Sequence, residues 1–314
     1  MQTPMTTSAS PLLAAPGRTA GYVLAASGAA LFSTKAIFIK LAYQEQVNAS
    51  LMLAYRMAFA LPFFLAVGIW AVRARGVRGE PMPDLATVTK AALTGLLGYY
   101  VASYFDFAGL QYISAQLERL VLFTYPIFIM FIAAYLSGQA PSRSGITAAA
   151  VTYAGLALAF ASDLPIGGHD TIMGTLLVIG AALSFAVHQI FAKGFDTALG
   201  SALYTAISLT SAAIACIVHH VIVSRGDFSA SPRFMGLAAG CAVVATVLPA
   251  LLINASLARI SSTAVAMIST LSPIVTIILA VTILGEPFTW ADAAGSLLVI
   301  AGVGLYTRGD SQCV

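Results

Sequence analysis

The sequence predicts an all-α membrane protein with ten transmembrane helices, arranged as two inverted repeats of five helices each. Three observations carry this prediction. First, 59 % of the 314 residues are hydrophobic and 9 % are charged, whereas soluble domains have about 45–50 % apolar and about 25 % charged residues. Second, the chain divides into ten apolar runs of roughly the length that crosses a bilayer. Third, its two halves resemble each other in sequence.

The ten predicted spans are runs of about 20 mostly apolar residues. The links between them hold charges together with glycine or proline, which stop apolar helices, as in residues 73–83, 163–170 and 224–232. The spans lie near residues 20–42, 50–72, 90–111, 115–137, 145–162, 172–192, 200–223, 233–257, 262–284 and 291–307. This division gives a cytoplasmic tail (1–19), a first repeat (20–162), a second repeat (172–307) and a cytoplasmic tail (308–314).

The positive charges in the links predict the orientation of the chain. With the N-terminus in the cytoplasm, nine Lys and Arg residues fall on the inner side and four on the outer side, so both termini are expected inside. The link after the seventh span opposes this rule. Residues 1–19 carry only Arg18 and no basic region ahead of a cleavable apolar core, so we expect no signal peptide. The multi-pass chain is expected in a bacterial inner membrane.

An internal match predicts the repeat. Residues 110–158 align without a gap with residues 257–305, and ten of the 49 positions are identical. Among these are Pro126 and Pro273, each about halfway along a span, where proline frees a carbonyl group and kinks the helix. Because each unit has an odd number of spans, the two copies have opposite orientations. Such inverted repeats are typical of secondary transporters, with the substrate site at the repeat interface; duplication of a bundle that transports nothing is the alternative.

Short motifs occur in the same order in both halves. In the second half these are Ser272-Pro273, Leu284-Gly285-Glu286-Pro287, Gly295 and Ala301-Gly302; in the first they are Leu117-Glu118-Arg119-Leu120, Tyr125-Pro126 and Gly138. This order resembles the drug/metabolite transporter superfamily, in its EamA-type ten-helix branch, and the chain is similar to aromatic or broad amino-acid exporters. The resemblance implies export of amino acids or other metabolites. Arg56 fits the family's arginine early in the second helix, and Gln139 departs from the pattern where the second half has Glu286.

Ionisable groups inside spans are costly, so each is a candidate for function. Lys35 in the first span and His188 in the sixth occupy matched positions of the two copies. They are expected to face one cavity and to contact a substrate carboxylate from opposite ends. Alternatively, Lys35 reaches the membrane interface and His188 is a hydrogen-bonded packing residue. A histidine there could also take part in proton coupling.

Four further charges lie in the outer third of the predicted bundle: Arg56, Asp106, Glu118 and Arg119. Neighbouring helical residues point apart, so Glu118 is expected to pair with Lys35 or Arg56 instead of Arg119. Asp106 is expected to pair with Arg56, Arg119 or Lys35. Such an ion pair could close an outer gate, or it could simply fix the helix packing. Tyr99 and Ser103 form a stripe with Asp106, and Gln189 and Asn254 add neutral polar groups to the expected substrate cavity.

Several functional classes are disfavoured by absent motifs. The sequence has no phosphate-binding loop, H-E-x-x-H or G-x-S-x-G, so we expect neither ATP hydrolysis nor an enzyme; a channel or receptor stays a weaker alternative. No cofactor or metal is expected, since the three cysteines form no cluster. The expected partners are a small-molecule substrate and the lipid bilayer, and a net charge of +3 gives no reason to expect nucleic acid. Small residues in the fifth and tenth spans favour internal packing; a homodimer is compatible with them and a monomer is sufficient.

Overall fold

The computed structural model describes residues 16–138, 140–257, 259–260, 262–269 and 271–310, except for the side chains of residues 16–18, 162–167, 196–197, 254, 262–263, 266–267 and 306–310. Over this part of the chain every regular element is helical, which confirms the all-α prediction. The α-helices are α1 (Pro16–Ser33), α2 (Lys35–Tyr43), α3 (Ala49–Val77), α4 (Leu85–Gly95), α5 (Ala102–Gly109), α6 (Ala115–Leu122), α7 (Tyr125–Ser137), α8 (Arg143–Gly167), α9 (His169–Leu199), α10 (Ser201–Ser224), α11 (Pro232–Ala242), α12 (Leu248–Leu257), α13 (Ser262–Ser269), α14 (Ser272–Leu279) and α15 (Trp290–Asp310).

Three π-helical stretches continue three of these helices without a gap. Leu96–Val101 joins α4 to α5, Val243–Val247 joins α11 to α12, and Ala280–Leu284 follows α14. A π-helical turn holds one more residue than an α-helical turn and leaves backbone carbonyl groups without their usual partners, and such turns often occur at functional sites. The first two stretches are therefore places to look for side chains from other helices.

Seven helical runs in the described residues are long and apolar enough to cross a membrane. Two shorter apolar runs, Ser272–Leu284 and Trp290–Leu305, accompany them. The seven runs are Thr19–Tyr43, Ala49–Val77, Ala115–Ser137, Arg143–Ala161, His169–Phe195, Ser201–Ser224 and Pro232–Leu257. A helical membrane fold is thus observed, whereas the count of ten spans stays a prediction.

Two predicted spans are interrupted near their middle, where the sequence predicts a proline kink within one helix. Instead α6 gives way to α7, and α13 to α14, and Pro126 and Pro273 are each the second residue of the new helix. Proline has no backbone N–H and its fixed φ suits the first turn of a helix. Each proline therefore begins a helix in place of bending one.

Two predicted links are shorter than the sequence suggests. The basic segment after the second span remains helical, because α3 continues to Val77 and the chain first turns at Gly79, whose φ is +68°. Basic side chains in the last turn of a helix are stabilised by its dipole. The predicted link at 163–170 shrinks to Gly168, which stands between α8 and α9 with a φ of +53°.

Helices α8 and α15 pack together through their glycines. A Cβ atom placed on Gly155 would lie 2.6 Å from the Gly295 carbonyl oxygen, and one on Gly302 would lie 2.7 Å from the Thr152 nitrogen. Only glycine allows these backbones to approach so closely. The small-residue faces singled out in the sequence are therefore buried against each other inside the protein.

One end of the helical bundle, which we call the linker end, contains the links 44–48, 110–114, 225–231 and 285–289. The Tyr43 hydroxyl donates to the Phe107 carbonyl at 2.6 Å, close to the second of these links. Glu45 accepts hydrogen bonds from Ser231 at 2.8 Å and from Arg233 at 3.0 Å. The first contact lies within the first half and the two Glu45 contacts join the halves; all three hold the linker end together.

Candidate functional site

A cavity of about 390 Å³ lies between the helices, within the roughly 300–1,000 Å³ typical of small-molecule pockets. Both halves of the chain line it. The charged lining residues come from the first half and are Lys35, Arg56, Asp106 and Arg119. The second half contributes hydroxyl groups, from Thr205, Thr246, Ser269 and Ser272.

The charged residues lie at the part of the cavity nearer the linker end. Asp106 is less than one turn from the end of α5, and Arg56 is about two turns from the start of α3. Thr205 lies at the other extreme, because it is one turn from the start of α10, whose far end leads into the link 225–231. The cavity thus extends from a charged region toward the end of the bundle opposite the linker end.

Lys35 is the centre of a buried ion cluster. Its Nζ lies 2.5 Å from Asp106 Oδ2 and 3.6 Å from Glu118 Oε1. The three residues are at most 6 % exposed, and Glu118 is fully buried behind the cavity wall. Charges in so apolar a setting persist only when they are paired. Lys35 therefore joins α2 to α5 and α6 through the acidic side chains of those two helices. Both pairings were considered from the sequence.

Arg119 connects the first half of the chain to the second. Its Nη2 donates to Ser272 Oγ at 2.7 Å, at the break before α14. Ser272 Oγ is also 2.6 Å from Ser33 Oγ, at the end of α1. The Arg119 guanidinium carbon lies 5.1 Å from the centroid of the Phe32 ring, within the range of a cation–π contact. A hydroxyl chain and an aromatic face thus fix Arg119 beside the cavity.

Arg56 differs from these two cations. Arg56 is 5 % exposed to solvent, and it lines the cavity. Its guanidinium carbon lies 5.0 Å from the centroid of the Phe107 ring, and its Nε has no hydrogen-bond partner. Among the described residues no carboxylate forms an ion pair with it. Arg56 is therefore oriented by an aromatic ring and lacks an acidic partner.

The first two π-helical stretches both reach the cavity, through Gly98 and Tyr99 in one and Ala245 and Thr246 in the other. Side chains of α9 occupy the carbonyl groups around the first stretch. Ser184 Oγ donates to the Leu97 carbonyl at 2.7 Å. The structural reason is that the wider turn leaves these acceptors free for neighbouring helices.

His188 lies behind the cavity wall and does not face the cavity. Its Nδ1 is 2.8 Å from the Thr94 carbonyl oxygen, a contact in which the nitrogen donates. The ring is 1 % exposed, with its centroid 4.9 Å from that of Tyr99. The expectation of a cavity-facing histidine is thus corrected: a carbonyl near the π-helical stretch binds the ring from the side, as in the packing alternative.

Of the remaining residues predicted to line the cavity, some do so and others do not. Tyr99 and Ser103 line the cavity, as expected. Gln189 does not; its side chain is exposed on the outer face of α9, because neighbouring residues of a helix point about 100° apart. The side chain of Asn254 and the whole of Gln139 lie outside the described residues. Pro126 and Pro273 begin helices, as described above.

Several cavity residues were missed in the sequence analysis. Thr205, Thr246 and Ser272 are hydroxyl residues within apolar runs, and such residues are common at helix contacts in membranes, so their type alone does not mark a site. Phe32 matches Phe185 in the other half of the chain, but an apolar match inside two spans is equally typical of helix packing. Ser272 had one usable signal, since it stands directly before a proline that the two halves share.

Glu286 of the second half binds the start of α6 in the first half, close to the ion cluster around Lys35. Glu286 Oε1 accepts from the Ala115 N–H at 2.8 Å, and Glu286 Oε2 accepts from the Gln116 N–H at 3.3 Å. Ser114 Oγ accepts from the Leu117 N–H at 3.0 Å. The first amides of α6 are therefore satisfied, and a carboxylate stands at the positive end of the helix dipole. Glu118 and Arg119 follow within one turn of this cap.

No group of three His, Cys, Asp or Glu side chains in the described part of the chain is arranged to hold a metal ion. The chemistry that this arrangement supports is the binding of a small polar or charged solute. Three cationic side chains and Asp106 meet at one end of a mostly apolar cavity, and Glu118 lies behind its wall. Aromatic rings and aliphatic side chains make up much of the remaining lining, and aromatic rings can accommodate varied apolar groups.

Comparisons with known proteins agree with this arrangement. A family model described as "EamA-like transporter family" matches residues 19–161 and 172–308. The chain is 28 % identical over 281 residues to "Uncharacterized transporter YcbK" of Bacillus subtilis, covering 85 % of this chain and 86 % of that protein. It is also 28 % identical over 233 residues to "Probable amino-acid metabolite efflux pump" of Salmonella typhimurium, covering 68 % and 76 %. A solved structure titled "Crystal structure of protein" shares the fold, with a TM-score of 0.60, 17 % identity and coverage of 94 % and 99 %.

Proposed function

Because the chain belongs to the EamA-like transporter family of the drug/metabolite transporter superfamily, we propose that it is a secondary transporter that exports small metabolites, with amino acids as the preferred class. Family membership confirms the resemblance in the sequence motifs. Together with its apolar helices, it makes the chain a multi-pass membrane transporter.

The cavity is the observation that carries the proposal. Its lining combines charged groups of the first half with hydroxyl groups of the second, so a solute bound there contacts both halves. In alternating access, two halves rock around such a shared site and expose it to each side in turn. The contacts at the linker end and the extension of the cavity toward the opposite end describe one state of this cycle.

Two inverted repeats are a common architecture for carriers that work by this cycle. Three features support two repeats of five helices here. The family model matches each half separately. The helices α6 and α13 contain eight residues each and begin 147 residues apart, and the breaks that follow them are also 147 residues apart. The two π-helical stretches that line the cavity begin 147 residues apart as well, at Leu96 and Val243. The helical run from Leu85 to Gly109 supplies the remaining span.

The amino-acid assignment has a narrower basis. One relative is named as an amino-acid metabolite efflux pump, and the cavity offers both cationic and anionic groups that suit a zwitterion. Export of another metabolite or of a drug-like cation is the second candidate, because other relatives are named only as transporters. The bacterial relatives favour a plasma-membrane location, and the positive charges in the links favour cytoplasmic termini. In that orientation the linker end faces outward and the described state has its cavity directed inward.

Counterflow in proteoliposomes tests this function. Vesicles containing purified protein are loaded with unlabelled amino acids and diluted into labelled ones. A carrier produces transient, saturable accumulation of label, whereas a channel gives flux that does not saturate. Competition with sugars, nucleotides and quaternary amines then separates the candidate substrate classes. Absence of competition by every amino acid would reject the amino-acid assignment.

A further inference from the structure

The geometry points to Arg56 as the residue that binds a carboxylate group of the transported solute. This inference rests on the proposed function, because it assigns a role within the same cavity. It narrows the substrate class to molecules that carry a carboxylate and assigns to Arg56 a role other than a gate.

The first step is the position of Arg56. Arg56 lies within α3, about two turns from the helix start, and only 5 % of it is exposed. It is one of the residues that line the cavity. A guanidinium in so apolar a region is costly unless an anion accompanies it. A cation kept in such a place is therefore a candidate for binding a ligand.

The second step is the contrast with the other two cations. Lys35 contacts two acidic side chains, Asp106 and Glu118. Arg119 donates to Ser272 Oγ. Like Arg56, Arg119 has no carboxylate within ion-pair distance among the described residues and has an unpaired Nε. Its Nη2 is bound by this hydroxyl, whereas no hydrogen bond or ion pair within the described residues holds the Arg56 guanidinium. The charged region thus has three cations at the cavity and two carboxylates, of which Glu118 lies behind the wall. Arg56 is the one of these three cations that no hydrogen bond or ion pair holds among the described residues.

The third step is the choice of ligand. A guanidinium is planar and presents paired N–H donors that match the two oxygens of a carboxylate. The Phe107 ring, 5.0 Å from the guanidinium carbon, covers one face of this plane. A carboxylate approaching from the cavity supplies the counter-charge that the protein lacks. An amine or quaternary cation without a carboxylate would instead place positive charge beside Arg56.

Proteoliposome counterflow of labelled L-phenylalanine, L-alanine and tetraethylammonium tests the inference. For each labelled amino acid that the wild type carries, the competitors are the unlabelled acid, its amide and the corresponding amine. We expect the acid to compete at least about tenfold better than the other two. We expect Arg56→Gln to raise the half-saturation concentration about tenfold or more, with a smaller effect for Arg56→Lys, because lysine keeps the charge but not the planar fork.

The matched control is Arg73→Gln, which makes the same substitution at an exposed position of the same helix. It should transport as the wild type does. Size-exclusion profiles in detergent report whether each variant is folded. If Arg56→Gln does not fold, the half-saturation concentration of Arg56→Lys is the measurement that tests the inference.

The possible failures are distinguishable. Equal competition by acid and amide, saturable counterflow of tetraethylammonium alone, or an unchanged half-saturation concentration in folded Arg56 variants would overturn the inference while leaving a transporter. Absence of saturable counterflow for every labelled solute in the wild type would overturn the proposed function itself.

Discussion

Lys35 Nζ and Asp106 Oδ2 lie 2.5 Å apart, in side chains that are less than a tenth exposed. The contact joins α2 to α5 in an apolar region, where removing one partner of an ion pair leaves the other without compensation. Glu118 is the second acid on the same ammonium, at 3.6 Å. The cluster is therefore asymmetric, because a single ammonium group is the partner of two carboxylates.

This asymmetry predicts unequal effects of substitution. Lys35→Met leaves two buried carboxylates without their cation and should cost roughly 3–5 kcal/mol of stability. Asp106→Asn should cost less, because Lys35 keeps Glu118. Thermal unfolding of the detergent-solubilised protein measures both, and the double variant gives the coupling energy. Equal losses for the two single variants would contradict the shared-cation arrangement.

The glycine contacts between α8 and α15 predict a sharp positional effect. Gly302→Ala would place a Cβ 2.7 Å from the Thr152 nitrogen and 2.8 Å from the Ala148 oxygen, and such overpacking costs about 1–3 kcal/mol. A Cβ on Gly304 meets no atom within 4 Å. Gly304→Ala, on the same helix, should therefore leave the melting temperature unchanged or slightly raised. Similar melting temperatures for the two variants would refute this packing.

The cap on α6 predicts a role for the charge of Glu286. Glu286→Ala removes the acceptor of two amides and should lower stability by about 1–2 kcal/mol, with a smaller effect for Glu286→Gln. Glu80→Ala is the control, because Glu80 pairs with Arg78 at the surface. The melting temperature measures all three variants. A loss in Glu80→Ala as large as that in Glu286→Ala would argue against a specific cap.

The contact of His188 with the Thr94 carbonyl predicts that its donor matters more than its charge. His188→Asn keeps an amide donor near the Nδ1 position and should retain folding and the pH profile of transport. His188→Ala leaves a buried acceptor without its partner, at roughly 1–3 kcal/mol, and should lower the folded yield. Counterflow across a pH series measures the effect. Loss of the pH dependence in folded His188→Asn would restore the proton-coupling hypothesis.

The charges in the links predict both termini in the cytoplasm. Fusion of a green fluorescent reporter to the C-terminus should give fluorescent cells, and fusion of alkaline phosphatase there should give an inactive enzyme. Active phosphatase at the C-terminus would reverse the proposed orientation. It would also assign the linker end to the cytoplasmic side.

Composition and apolar runs predict the helical membrane fold well, because lipid requires backbone groups to be satisfied within each helix. Helix ends at Tyr43, Ser224 and Leu257 lie within a residue of the predicted spans. The sequence cannot reveal that Pro126 begins a helix, since kinks and restarts both use proline. The sequence also cannot show which residues of other helices contact a given side chain.

The site is predicted in part for the same reason. Charges within spans are conspicuous, so Lys35, Arg56 and Asp106 were all identified. Their partners depend on which helices meet, so the motif Ser272-Pro273 marks a shared position but not the contact of Ser272 with Arg119. His188 was assigned to the cavity from its matched position, yet a matched position fixes the helix and the depth, not the direction in which a ring points.

The cap that Glu286 places on α6 has a consequence for biosynthesis. The amides of Ala115 and Gln116 emerge from the ribosome about 170 residues before their acceptor. The Lys35 cluster, by contrast, is complete once residue 118 has been made. During translation the charged core of the first half can therefore assemble early, while the start of α6 waits for almost the whole chain. The link before the last helix thus completes the capping of a helix that was made much earlier.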